Sequence, residues 1–361
     1  SMLILVFYTV SSSFTRDIQK EWLANLLDPF GVRPFSIMTK YMTVVEKNTQ
    51  AVTLHDELLI NRLIWLGITL LILMLIYTRF SFNTKKEKVK KVKASKQSVM
   101  PTLLVDQDFN PTKANAFSFG IFWKMIVFET KAVIKNPTFI IIVGIGLINL
   151  IVGLTSFTGS YGTDQYPVTY SVVDTIDNSF FIFIIGFIAF YTGVLVWKER
   201  DAKINEIQDA TPIPSGMLFT SKLVALVIAL AIMYAATIVI GIIAQTAYGY
   251  YNYEIDVYVK SLLIIGLLGF TFYIVLSLLF HYLINNRYIA YFAFVAFIVV
   301  NSFIWGLLEF NSNMLSFGSR PSITYSDMNK FGPFVPSTIW FNIYWATFCV
   351  VLCFVINAFF I

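Results

Sequence analysis

The chain has 361 residues, 57% of them hydrophobic, 17% aromatic and 13% charged, with a net charge of +5. Soluble domains carry about a quarter charged residues, so this balance excludes an ordinary water-soluble globule. It reads as an all-α integral membrane protein, because an isolated strand cannot satisfy its own backbone in lipid.

In chain order, Ser1 is followed by MLILVFYTV. That is about half of a span, since a crossing needs roughly 20 apolar residues. It has neither the basic leader nor the small-residue cleavage pattern of a signal peptide. The chain stops at Ile361 within an apolar run and without a polar flank. Both ends read as cuts in a longer protein. Seven further apolar runs follow, at 62–79, 138–156, 179–197, 218–247, 258–280, 288–308 and 338–361. Most lack the polar stripe that a buried helix of a soluble protein shows.

Lysine and arginine set the orientation. The stretch TKKEKVKKVKASK at 84–96 holds seven lysines and one glutamate, so it reads as cytoplasmic. Lys198, Arg200, Lys203 and Lys222 come two spans later and so return to the same side. The loop at 157–178 carries Asp164, Asp174 and Asp177 and no basic residue, and so faces outward. The expectation is therefore a multi-pass membrane protein with 80–137 and 198–217 in the cytoplasm.

The organisation reads as three blocks. Residues 1–79 form the C-terminal part of a first membrane unit: a partial span, an outer loop at 11–61 and the span 62–79. Residues 80–116 form a basic cytoplasmic linker. Residues 117–361 form a second unit, with an interfacial helix at 117–136 and six spans over 138–361. In the interfacial helix Lys124, Lys131 and Lys135 share one face, with Phe119, Phe122, Trp123, Ile126 and Val133 over much of the rest. Such a pattern places lysines toward lipid headgroups, and Pro137 ends it. LDPFGVRPF (27–35) and MNKFGPFVPSTIWF (328–341) hint at repetition, each preceding a Trp-marked span.

The stretch between the second and third spans of this unit stands apart. Seven of the twelve residues from Lys198 to Asp209 are charged, and Pro212 and Pro214 close it. Glu199 and Glu206 are seven apart and share a helix face. Within the spans polar groups are few: Asn301 reads as glue between helices, and Glu309 as interfacial. Ala189 and Gly193 form a small-x-x-x-small pair for close helix contact. Tyr248, Tyr250, Tyr251 and Tyr253 read as an interfacial belt. Cys349 and Cys353, one turn apart in an apolar run, read as buried free thiols. No metal site, catalytic motif or phosphate-binding loop is present in the sequence, so the chain reads as neither an enzyme nor an ATP binder. The basic linker lacks interleaved aromatics and favours lipid over nucleic acid.

The order of interfacial helix, span, outer loop, span, charged segment and four more spans resembles the permease of an ABC-2 type transporter. The resemblance rests on Glu199-Arg200, Glu206, Thr211-Pro212 and Lys222, over 117–361. Asp201 departs from the family's second glutamate, and Lys203 stands near its usual glycine. It implies a six-span helical bundle with an elbow helix, preceded here by the last span of an upstream unit. It also implies docking of a separate ATP-binding cassette ATPase on Glu199, Arg200, Asp201, Glu206 and Asp209, with ATP on that partner and no cofactor in this chain. KERDAKINEIQDATPIP, YSDMNKFGPF and LDPFG…EKNT…NRLIWL resemble a bacterial subgroup with two permease units fused to an HExxH zinc aminopeptidase-like domain, which implies a bacterial plasma (inner) membrane. No HExxH occurs here, since His55 opens HDELL and His281 opens HYLIN. The alternative is a transport-inactive membrane scaffold that anchors such a peptidase outside the cell.

Overall fold

The computed structural model describes residues 4, 7, 8, 10, 11, 14, 21–50, 53, 54, 56–79, 117–155, 166–204, 211, 213–310 and 312–359. The expected linker at 80–116 lies outside them, as does most of the expected partial span. All regular structure among the described residues is helical, apart from one isolated bridge between Ser326 and Lys330.

Three short helices, α1 (Glu21–Leu27), α2 (Val32–Met38) and α3 (Val44–Thr49), precede the long α4 (Asp56–Arg79). Then come α5 (Phe119–Ile134), α6 (Pro137–Thr155), α7 (Thr169–Asp201), α8 (Ser215–Ala247), α9 (Ile255–Leu283), α10 (Arg287–Leu307) and α11 (Val335–Phe359). Seven helices, α4 and α6 to α11, are long and apolar enough to cross a membrane. Each carries the described part of one of the seven apolar runs, to within a residue.

Polar residues set the ends. Pro137 sits at the first position of α6, where its missing N–H costs nothing. The Asn286 side chain accepts from the backbone of Tyr288 and Ile289 at the start of α10. Asp28 accepts from the backbone of Phe30 and Arg33, which starts α2. Asn61 of α4 donates to the carbonyls of Asn25 and Asp28, and Trp65 to that of Leu26. The LDPFG block is thereby pinned to α4. Gly31 takes a left-handed conformation there, and Gly332 in the second Phe-Gly-Pro block does not. The two blocks share composition but not the turn.

α7 is the centre of the bundle. It packs against α6, α8, α9 and α10, and Phe180, Phe183, Ile184, Phe187, Ile188 and Tyr191 on it are buried. α5 lies along α8, and α9 packs on α11. Thr192 and Ser277 join α7 to α9 through their hydroxyls at 2.6 Å. Residues Val259–Gly266 of α9 are π-helical. α4 presents large apolar side chains almost all round.

The polar span residues act within this frame. Asn301 accepts from the Phe317 backbone and from the Trp305 indole, and its amide donates to Ser316. It ties α10 to a returning loop rather than to a second helix. Gly193 lies against the ring of Tyr291 on α10. The Tyr248 hydroxyl donates to carbonyls at the end of α6, and Tyr251 is exposed. Cys349 is buried, Cys353 half-buried, and both are free.

Candidate coupling site at the charged end of the bundle

α7 runs four residues past its last apolar position as Lys198, Glu199, Arg200 and Asp201. Consecutive helical residues point about 100° apart, so these four reach all round the helix. The Lys198 ammonium pairs with Glu129 of α5 at 3.0 Å and lies over the Phe128 ring. The Glu199 carboxylate pairs with Lys222 of α8 at 2.7 Å. The Arg200 guanidinium donates to Asn285 in the α9–α10 turn at 3.4 Å and covers the Trp197 ring. The Asp201 carboxylate pairs with Arg287, the first residue of α10, at 2.6 Å. The Trp197 indole donates to Nδ1 of buried His281. One helical turn is thus fastened to α5, α8 and the α9–α10 hairpin.

These contacts differ in depth. The Glu199 and Lys222 side chains are 12% and 4% exposed, whereas those of Asp201 and Arg287 are 57% and 33% exposed. A carboxylate in a helix's last turn opposes the helix dipole, so Glu199 relies on Lys222. Of the five residues expected to meet an ATPase, Glu199 is turned inward. Arg200 and Asp201 are exposed, and Glu206 and Asp209 lie outside the described residues.

The helix ends in a Schellman turn. The N–H of Ile204 donates to the carbonyl of Glu199, and that of Lys203 to the carbonyl of Arg200. This motif places its C′ residue in the left-handed region, usually as glycine, and Lys203 has φ 55°. The departure seen in the sequence therefore occupies the backbone position that glycine ordinarily fills.

On α5, Lys124, Lys131 and Lys135 are exposed, while Ile126, Glu129 and Val133 are buried. Glu129 is the partner that sequence reasoning missed. It is the single acidic residue between 117 and 137, an anomaly among lysines that signals a cation brought from elsewhere. Arg287 and Asn285 carried no such signal. Among the described residues no group of three His, Cys, Asp or Glu side chains is placed to hold a metal ion.

Seven membrane-capable helices, six of them in a bundle built on the buried α7, with an amphipathic helix laid beside them, define a polytopic membrane protein. The family model described as ABC-2 family transporter protein matches residues 55–349. That is most of the chain, which belongs to this family of membrane permeases. The match takes in α4 as well as the later helices. No curated protein and no solved structure matches the chain.

Proposed function

We propose that the chain is the permease part of a transporter driven by a separate ATP-binding cassette ATPase, which docks on the segment 198–211. The observation that carries this is the last turn of α7, tied by three ion pairs and a hydrogen bond to three neighbouring elements. A push there reaches most of the bundle. Arg200, Asp201 and Lys203 supply its exposed charge, with Glu206 and Asp209 beyond. Glu199 acts as an internal anchor. On this reading ATP binds the partner, residues 80–137 and 198–217 face the cytoplasm of a bacterium, and Lys124, Lys131 and Lys135 meet lipid headgroups. Residues 1–79 complete an upstream unit. The finer resemblance, to double permeases with a zinc aminopeptidase-like domain, rests on the quoted sequence blocks alone.

The test is reconstitution with an ATPase. The permease should stimulate ATP turnover, and reversing Asp201 and Glu206 together should remove the stimulation. Unchanged turnover with a correctly assembled complex refutes docking at this segment. One observation favours the scaffold alternative: Glu199 and Asp201 are both paired within the bundle, as a fixed anchor requires. Under that reading, deleting 203–211 leaves localisation and any attached activity intact.

A further inference from the structure

At the end of the bundle opposite the charged turn, Tyr170, Asp174, Asp177 and Phe181 follow one another at spacings of four, three and four. They form one stripe of α7. Its first three residues border a cleft of about 240 Å³ lined also by Ser261 of the π-helical stretch and by Arg320 and Tyr325 of the returning loop. A second space, also about 240 Å³, is lined by Phe181, Gly266, Phe270 and Tyr273, and again by Asp177 and Arg320. The aspartate and the arginine therefore stand where the two spaces meet.

These charged groups are under-used. Arg320 donates to the Ile265 carbonyl at 2.9 Å. Neither the Asp174 nor the Asp177 carboxylate accepts a hydrogen bond from a described residue. Tyr234 of α8 is fully buried and its hydroxyl has no partner among the described residues. That hydroxyl lies 3.0 Å from where a Cβ on Gly266 would stand. Asp174 and Asp177 are both exposed, so a cation entering the cleft can reach their carboxylates.

Beside the cleft lies a third and larger cavity of about 510 Å³, within the range of small-molecule pockets, about 300–1,000 Å³. Ile265, Ile323 and Phe331 line both spaces, which therefore adjoin. The far wall is formed by Val335 and Ile339 of α11. A charged cleft joined to an apolar chamber is the outline of an amphiphile. Two carboxylates against one guanidinium leave the cleft acidic. Lys260 and Lys330 border the apolar chamber instead, and Lys260 is paired with Asp256 at 2.9 Å.

We infer that the cleft and the apolar chamber form one binding site for an amphiphile with a protonated amine head. The ammonium lies between Asp174 and Asp177, and the chain lies past Ile323 against α11. The inference rests on the permease reading, since it names the class of substrate presented at this end. The experiment is equilibrium binding of tritiated hexadecylamine to the full chain in lipid nanodiscs, without ATPase. Hexadecanoate, with the same chain and an anionic head, is run beside it.

The expected result is saturable binding of the amine and none of hexadecanoate. Asp177→Asn should weaken amine binding at least tenfold through loss of the charge–charge contact, and Ile323→Trp should block the tail to a similar degree. Equal amine binding by Asp177→Asn and the unaltered protein overturns the inference, as does hexadecanoate binding as tightly as the amine. If Asp177→Asn fails to fold, Ile323→Trp and the ranking of the two head groups decide. Amine binding without any stimulation of an ATPase refutes the coupling reading and leaves this site standing.

Discussion

Replacing Lys222 by methionine removes the partner of Glu199 while keeping the volume of the side chain. The two groups are 2.7 Å apart and almost sealed from water. At an effective dielectric of about 20, unit charges 4 Å apart attract by about 4 kcal/mol. Desolvation offsets much of that gain, so the intact pair adds little net stability. Stripping one partner leaves a buried charge uncompensated and costs about 3–5 kcal/mol. Lys222→Met should therefore lose about 3 kcal/mol in a reversible SDS-unfolding titration of the purified chain. Glu199→Gln should lose less, because its amide oxygen still accepts from the ammonium. The double variant should recover most of the loss. A Lys222→Met protein within 1 kcal/mol of the parent, or a double variant equal to the sum of the singles, refutes the pairing. The same arithmetic explains why reversing Glu199 is a poor probe of docking: it would bring two ammonium groups together and damage the fold first.

Four further outcomes follow from the geometry. Lys203→Gly should stabilise the chain by about 1 kcal/mol, because the left-handed region costs a non-glycine residue about 1–2 kcal/mol; unfolding measurements decide, and a loss of stability refutes the strain. Asp201→Ala and Arg287→Ala should each change stability by less than about 1 kcal/mol, as for exposed pairs, and so can be used in coupling assays without a folding artefact. Gly193→Ala should cost about 1–3 kcal/mol, since a Cβ there would overlap the Tyr291 ring. Hydrogen bonds from the Thr43 backbone and hydroxyl hold the Glu46 carboxyl below its ordinary value of 4.5. The order they lend to α3 is present above that value and lost as pH falls through the depressed one. Amide protection over 44–49, measured against the intrinsic rate at each pH, should fall below about pH 4.5, while protection in the bundle stays unchanged.

The spans were legible because hydropathy and length are enough for lipid, and each apolar run lies on a helix. Their true ends were not. α7 begins at Thr169, ten residues before the apolar run at 179–197, because an aspartate on a helix outside lipid costs nothing that a hydropathy pattern registers. Asp174 and Asp177 therefore read as markers of an outer loop, when they form part of a helical stripe. The charges of 198–201 were plain in the sequence, but their partners lie 23 to 86 residues away, beyond any local rule. Without Lys222 placed beside it, Glu199 reads as surface. The π-helical stretch of α9 left no trace at all, since Val259–Gly266 is as apolar and regular as its surroundings. Lys203 is the converse case, where a family departure noted in sequence turns out to be a matter of backbone torsion.

Asp177 and Glu199 stand 22 residues apart on one unbroken, proline-free helix. At about 1.5 Å per residue their Cα atoms are about 33 Å apart along its axis. That makes α7 a seesaw. A tilt of about 5° around its midpoint would carry the two ends about 1.4 Å in opposite directions, by the same rise per residue. A displacement of that size is small beside a membrane yet large beside a hydrogen bond, so a shove at one face would be felt as a change of fit at the other.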